Sequence, residues 1–219
     1  MNNLTEIVFI LDRSGSMSGL EGDTIGGFNS MIKQQQSETE GKALVSTVLF
    51  NERSSVLHDR VPLEKIEPLT DKDYRVGGMT ALLDAVGDAI KHIKNIHKYA
   101  REDDRPQKTL FVITTDGFEN SSHKFSYSEV KRLIERQKEL GWEFVFLGAN
   151  IDAAQVAEHI GIDRQDAVDY HADDIGTQKV YASMSRRMSM ARSRPPTAPP
   201  VNDDTWREEL DEDFKSRKK

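Results

Sequence analysis

Residues 6–16 read EIVFILDRSGS. Positions 7–11 are Ile, Val, Phe, Ile and Leu, without the alternation of a half-exposed strand, so this segment predicts a buried, parallel strand. It ends at Asp12 and runs into the Gly- and Ser-rich turn RSGSMSGLEGD.

The same grammar repeats outward from there. Residues 23–38 predict a helix with Ile25, Phe28, Met31 and Ile32 on one face. Residues 43–50 predict a second strand. Residues 54–61 predict an antiparallel edge strand reached through the turn Asn51-Glu52-Arg53. Residues 80–100 predict the most regular helix, with Leu82, Val86, Ala89, Ile90, Ile93 and Ile96 at three- and four-residue spacing. Gly77 and Gly78 precede it. Residues 108–115 hold the apolar run TLFVITT, residues 143–147 a further strand and residues 167–170 a last one. Between them Ser126 or Ser128 caps a helix closed by Gly141, and Asp152 caps a short helix ending at Gly161. Residues 174–192 predict the final helix of this body. Such alternation predicts an α/β fold: a doubly wound, mostly parallel sheet with helices on both faces and one antiparallel edge strand. Ligands of these sheets sit at the C-terminal ends of strands, which directs attention to the residues after Leu11 and after Thr115.

Those residues carry a consistent chemistry. The first strand delivers Asp12, Ser14 and Ser16; the loop behind Gly77-Gly78 delivers Thr80; the TLFVITT strand delivers Asp116. Three hydroxyls and two carboxylates, all oxygen donors, suit a hard divalent cation, Mg²⁺ first and Mn²⁺ or Ca²⁺ after it, in preference to zinc or copper. Two carboxylates balance one divalent ion. An octahedral shell still leaves a position for water or an outside group, which an Asp or Glu of a protein partner can fill.

At these residues the chain resembles the von Willebrand factor A (vWA) family. DRSGSM resembles its DxSxS signature at Asp12, Ser14 and Ser16, GGMT its threonine loop at Thr80, and TTDG its strand-end aspartate at Asp116. The resemblance covers about residues 5–190 and looks like the bacterial or phage intracellular branch. It implies a metal-ion-dependent adhesion site (MIDAS) at the top of a doubly wound fold. Ser14, Ser16 and Thr80 would be direct or near-direct ligands, with Asp12 and Asp116 acting partly through water. It also implies a domain that binds proteins and performs no chemistry itself.

Neighbouring residues have plainer readings. Arg13 either steers a partner carboxylate or points into solvent. Asp84 reads as an exposed helix-start aspartate favoured by the helix dipole in preference to an orienter of the site. Glu119 and Asn120 read as a solvated rim, second-rank for partner contact. The histidines show no HExxH pair, Met17 stands where a GxSxG elbow needs serine, and no Walker A motif occurs. A metal-dependent hydrolase would need a base beside the ion that this set does not offer. A scaffold beside an ATPase or in a stress response rests on family analogy alone.

The expected organisation is a vWA-like domain over 1–192, a Pro-rich linker over 193–202 and an acidic C-terminal tail over 203–219. Trp206, Leu210 and Phe214 are spaced by four, and Thr205 with Glu208 forms a capping-box pattern. The tail is expected either as a disordered acidic segment or as an amphipathic helix that docks in cis, on a partner or in self-association. Four arginines between Ser185 and Arg194 stand ready to receive its acids.

Composition narrows the rest. The chain has 219 residues, no cysteine and a formal net charge of -7. Disulfides and thiolate metal sites are excluded, and nucleic acid is a poor expectation for so acidic a chain. The apolar run at 7–11 is too short for a signal peptide or a membrane span, so neither a membrane nor export is expected and the cytosol is the default location.

Overall fold

The computed structural model describes residues 3–38, 41–195, 197–199 and 203–217. Pro196, Pro200 and residues 201–202 of the expected linker, and the terminal Lys218 and Lys219, lie outside the described residues.

Six strands form one sheet: β1 (Leu4–Asp12), β2 (Lys42–Phe50), β3 (Ser54–Pro62), β4 (Lys108–Thr115), β5 (Trp142–Ala149) and β6 (Ala167–Tyr170). Their order is β3-β2-β1-β4-β5-β6. Among the described residues only β3 runs antiparallel, on β2, and the other pairings are parallel. The order reverses between β1 and β4, the topological switch point of a doubly wound sheet. Asp12 and Asp116 leave the sheet at that crevice.

The helices are α1 (Glu21–Ser37), α2 (Leu82–Tyr99), α3 (Tyr127–Lys138), α4 (Ala153–His159), α5 (Asp174–Ser193) and α6 (Glu208–Ser216). Strand alternation divides the core between the two faces. Ile7, Phe9 and Leu11 join Phe28 and Met31 of α1 and Val180, Met184 and Met188 of α5 on one side. Val8 and Ile10 join Val86 and Ile90 of α2, Val130 and Ile134 of α3, and Ala157 of α4 on the other. Among the described residues no helix is long and apolar enough to cross a membrane.

Two differences from the sequence reading matter. Helix α2 starts at Leu82, with Ala81 as N-cap, so Thr80 stays in the loop and faces the site. The tail is not a disordered strand over its described part. It folds back on its own chain, with Trp206 2% and Leu210 0% exposed in the same core as α1 and α5. The Thr205–Glu208 capping box does not form: Asp203 caps a 3-10 turn by accepting from Thr205 N, and α6 begins after Arg207 with no side-chain cap.

Charge fixes the tail as well as apolar burial does. Arg186 holds Glu209 through two hydrogen bonds of 2.8 and 3.0 Å. Lys179 reaches Asp213 at 2.7 Å, and Arg217 bridges Asp213 and Asp173. Of the four arginines expected to receive the tail's acids, Arg186 does so, while the other three pair elsewhere among the described residues. Arg187 and Arg194 close on Glu143 of β5, and Arg192 holds the carbonyls of Gln35 and Gly41.

Asp166 sits half-buried near the Arg187–Glu143 pair. Burial raises its carboxyl from 3.8 to about 6, with Arg187 opposing. The folded chain therefore keeps this proton where the unfolded chain releases it. The group's contribution to stability is fully present below about pH 4 and is lost as pH rises through about 6. Asp166→Asn is expected to flatten this component: urea midpoints of wild type and variant should separate, in the variant's favour, as pH goes from 4 to 6. Parallel midpoints would refute it.

Candidate metal centre at the strand ends

The sequence places Asp12 on the last residue of β1, opposite the end of β4. Its Oδ1 accepts the backbone N–H of Ser14 at 2.7 Å, which folds the turn, and its Oδ2 accepts the Thr115 hydroxyl at 2.6 Å. Ser14 Oγ and Ser16 Oγ lie 2.9 Å apart, and Ser16 Oγ donates to Asp116 Oδ1 at 2.5 Å. A Cβ on Gly117 would come within 2.9 Å of Ser16 Oγ and 3.3 Å of Thr80 Oγ1. Hydroxyls from two loops thus face the same small space, and only a residue without a side chain leaves it open. All five expected residues, Asp12, Ser14, Ser16, Thr80 and Asp116, are brought together.

The electrostatics are one-sided. Asp12 is 1% and Asp116 4% exposed. Burial pushes both carboxyls above their ordinary range; for Asp12 the Thr115 and Ser14 hydrogen bonds oppose this, and for Asp116 the Ser16 hydroxyl does. Among the described residues no Lys, Arg or His forms an ion pair with either. Nor, among those residues, do three or more His, Asp or Glu side chains converge in a metal-holding group. The donor set is instead two buried acids with three hydroxyls, which suits a hard cation.

The loops are tied to one another by backbone bonds. Gly15 N–H donates to Gly78 O and Gly77 N–H to Arg13 O, both at 2.9 Å. Gly78 has φ +81°, and a Cβ there would strike the Glu52 carboxylate, so this approach requires glycine. Thr80 N–H donates to Asn120 Oδ1 at 2.8 Å, and Asn120 N–H returns to Thr80 O at 3.0 Å.

The sequence profile of the von Willebrand factor type A domain matches residues 6–183. The chain belongs to the von Willebrand factor type A domain family. Among curated proteins none matches this vWA chain. The vWF domain of the type V pili tip protein Mfa5 from Porphyromonas gingivalis shares the fold with a TM-score of 0.63 at 10% identity, over 89% of this chain and 98% of that one. The PilB minor pilin from Streptococcus sanguinis gives 0.58 at 15% identity, over 89% and 64%. Proximal thread matrix protein 1 from the mussel byssus, in a form with a zinc occupied MIDAS motif, gives 0.54 at 15%, over 83% and 45%. The vWA chain spans about half the length of the matrix-protein structures. At these identities the likeness concerns the fold.

Around the vWA site, the neighbours differ from their sequence readings. Asp84 is not a free helix-start charge: its carboxylate accepts the N–H groups of His123, Lys124 and Phe125 and staples that loop to α2. Glu119 is not a solvated rim residue. It accepts from Leu83 N, Ser121 N, Ser122 N and Ser122 Oγ, capping α2 and closing its own loop. Asn120 is exposed, but its amide holds Thr80. Arg13 is half-buried with Nε unpartnered among the described residues, and its backbone does the holding, N–H to Phe50 O and O from Gly77 N.

Three supporting residues escaped the sequence reading. Thr115 reaches Asp12 because β1 and β4 pair in register, Leu11 opposite Thr114; the adjacent TTDG motif was the available signal. Asn51 donates to Gly77 O and its own carbonyl accepts Ala81 N–H. Buried Tyr74 donates its hydroxyl to the Asp12 carbonyl, a contact with no local sequence signal.

Proposed function

We infer that this vWA domain is a metal-dependent protein-capture module whose site is a MIDAS. Asp12, Ser14, Ser16, Thr80 and Asp116 would hold a divalent cation, Mg²⁺ first. The carrying observation is the pair of buried acids, Asp12 and Asp116, without an ion pair to a cationic side chain among the described residues and faced by three hydroxyls. When bound, the cation supplies Lewis acidity toward an oxygen of a partner's Asp or Glu. The chain's own residues set the terms of that contact. The two acids supply the balancing charge. The neutral hydroxyls of Ser14, Ser16 and Thr80 would hold the ion without adding charge that quenches its remaining electrophilicity. The interlocked loops hold the oxygens in place before a partner arrives.

The zinc-occupied MIDAS of the mussel matrix protein supports metal binding on this fold. Pilus proteins among the structural neighbours support a protein partner. Hydrolysis is the weaker reading, because Glu119, the nearest following carboxylate in sequence, is engaged by four hydrogen bonds and is not available as a base. A bacterial or phage intracellular setting, suggested by the DRSGSM and TDGFEN forms, is part of the proposal, with the cytosol as the default location.

The test is capture of partners from the source cell with immobilised protein. Binding is expected in Mg²⁺, lost in EDTA, restored by Mg²⁺ and absent in Thr80→Ala at unchanged circular dichroism. Capture that survives EDTA would overturn the reading.

A further inference from the structure

We propose that a pocket at the opposite pole of the sheet binds a nucleoside monophosphate, its base on Gln137 and its phosphate on Lys94, Lys98 and Arg105. The pocket holds about 380 Å³, within the range of small-molecule sites. Three parts of the chain converge on it: the last turns of α2, the residues that lead into β4, and the end of α3 with the start of β5. The two strands pair there in register, Thr109 opposite Trp142. Asp12 and Asp116 lie at the other ends of the strands, so this site is separate from the candidate metal centre and does not depend on it.

The charge of the pocket runs against that of the chain. Lys94 and Lys98 are four residues apart and share a face of α2, and Arg105 joins them from the segment before β4. Among the described residues no Asp or Glu lines the pocket, in a chain of net charge -7. Glu102, Asp103 and Asp104 form the turn just before Arg105 but stand outside the lining. None of the three cations forms an ion pair among the described residues. Lys98 Nζ lies 5.1 Å from the centroid of the Tyr99 ring, and Arg105 Nη2 reaches the Ala100 carbonyl at 3.5 Å. Cations gathered without a carboxylate suit a phosphate group.

Gln137 supplies the second, independent observation. It lines the pocket and is 0% exposed, and neither Nε2 nor Oε1 has a hydrogen-bond partner among the described residues. Leaving a buried amide unpaired on both atoms is costly, and most such groups in folded proteins are satisfied. The amide offers a donor and an acceptor side by side. A base edge offers the matching pair, as adenine does with N7 and its amino group. Phosphate alone is chiefly an acceptor and leaves Oε1 without a donor. Trp142, stacked on Phe111 with ring centroids 5.4 Å apart, is a fixed apolar wall, and Leu140, 70% exposed, adds apolar surface that a flat base can cover.

The experiment is calorimetric titration of the full chain with AMP, GMP, CMP, UMP, adenosine and inorganic phosphate. EDTA is present throughout, which keeps the strand-end site out of the measurement. At least one monophosphate is expected to bind with Kd below about 1 mM, and about tenfold or more tighter than adenosine or phosphate. Lys98→Glu combined with Arg105→Glu, both at exposed positions, should weaken that binding about tenfold or more. Gln137→Leu should weaken it by a similar factor, about tenfold or more, while the melting temperature without nucleotide stays level or rises, because no side-chain hydrogen bond is lost. The proposal is overturned if none of the four monophosphates binds below about 1 mM. Phosphate binding as tightly as the nucleotides would mean an adventitious ion only and overturn it too. So would wild-type nucleotide affinity in either variant.

Discussion

Asp12→Ala is expected to abolish the rise in thermal stability that Mg²⁺, bound as proposed, would give the wild-type protein. Any ligand that binds only the folded state stabilises it by mass action, about 2.7 kcal/mol at a hundredfold excess over Kd. In a domain of this size that is a shift of roughly 5–10 °C. Asp12 would supply one of the two charges that oppose the cation, and it organises the turn through Ser14 N and Thr115 Oγ1. Its loss is therefore expected to weaken Mg²⁺ binding by about a hundredfold or more, since both the charge and the placement of Ser14 go together. Asp12→Asn separates the two contributions. It keeps one acceptor, for the Ser14 N–H, turns the other oxygen into an NH2 that the Thr115 hydroxyl can accept from, and removes a buried charge that no cationic side chain among the described residues pairs with. The ion-free variant should be at least as stable as the ion-free wild type and still fail to respond to Mg²⁺. Calorimetric titration and melting with and without Mg²⁺ check both, and a wild-type response retained in Asp12→Ala would exclude this site.

The second large effect concerns the tail. Trp206→Ala is expected to cost about 3–5 kcal/mol, the range for removing a buried aromatic side chain. At this chain length the melting temperature falls by on the order of 10 °C. Trp206 and Leu210 are in the core that α1 and α5 share, so their removal opens a cavity beside the main sheet and not at a detachable edge. Phe214 is the internal comparison. It is half-buried and stacks on His171 with ring centroids 4.8 Å apart, so Phe214→Ala should cost well under half as much. Urea unfolding of the two variants measures the contrast. Equal, small losses would mean that the tail is only loosely seated.

Much of the fold was legible because each signal was local. An apolar run such as 7–11 needs no knowledge of the rest of the chain to be read as a buried strand, and the four-residue spacing of Val180, Met184 and Met188 needs none to be read as helix. The DxSxS turn was legible for the same reason, since Asp12 makes its bond to Ser14 two residues on. What failed was long-range. Asp84 and Glu119 were read by position on a helix or loop, whereas their roles are set by amides on other segments. Tyr74 lies 62 residues from the carbonyl it supports, and no periodicity points there. The tail could be read as an amphipathic segment, but its seat depends on a groove that exists only once α5 and β6 are folded.

The bonds that join the loops also bear on how this site can be re-engineered. The β1 turn is tied to Gly77 and Gly78, the same loop carries Thr80, and Thr80 is tied to Asn120. A chimaera that borrows only the Asp12–Ser16 turn from another vWA domain would leave Gly15 N–H and the Arg13 carbonyl facing a loop with which they were not selected. The smallest unit that can be transplanted is the set of three loops together, and the chain's spacing between them is part of what must travel.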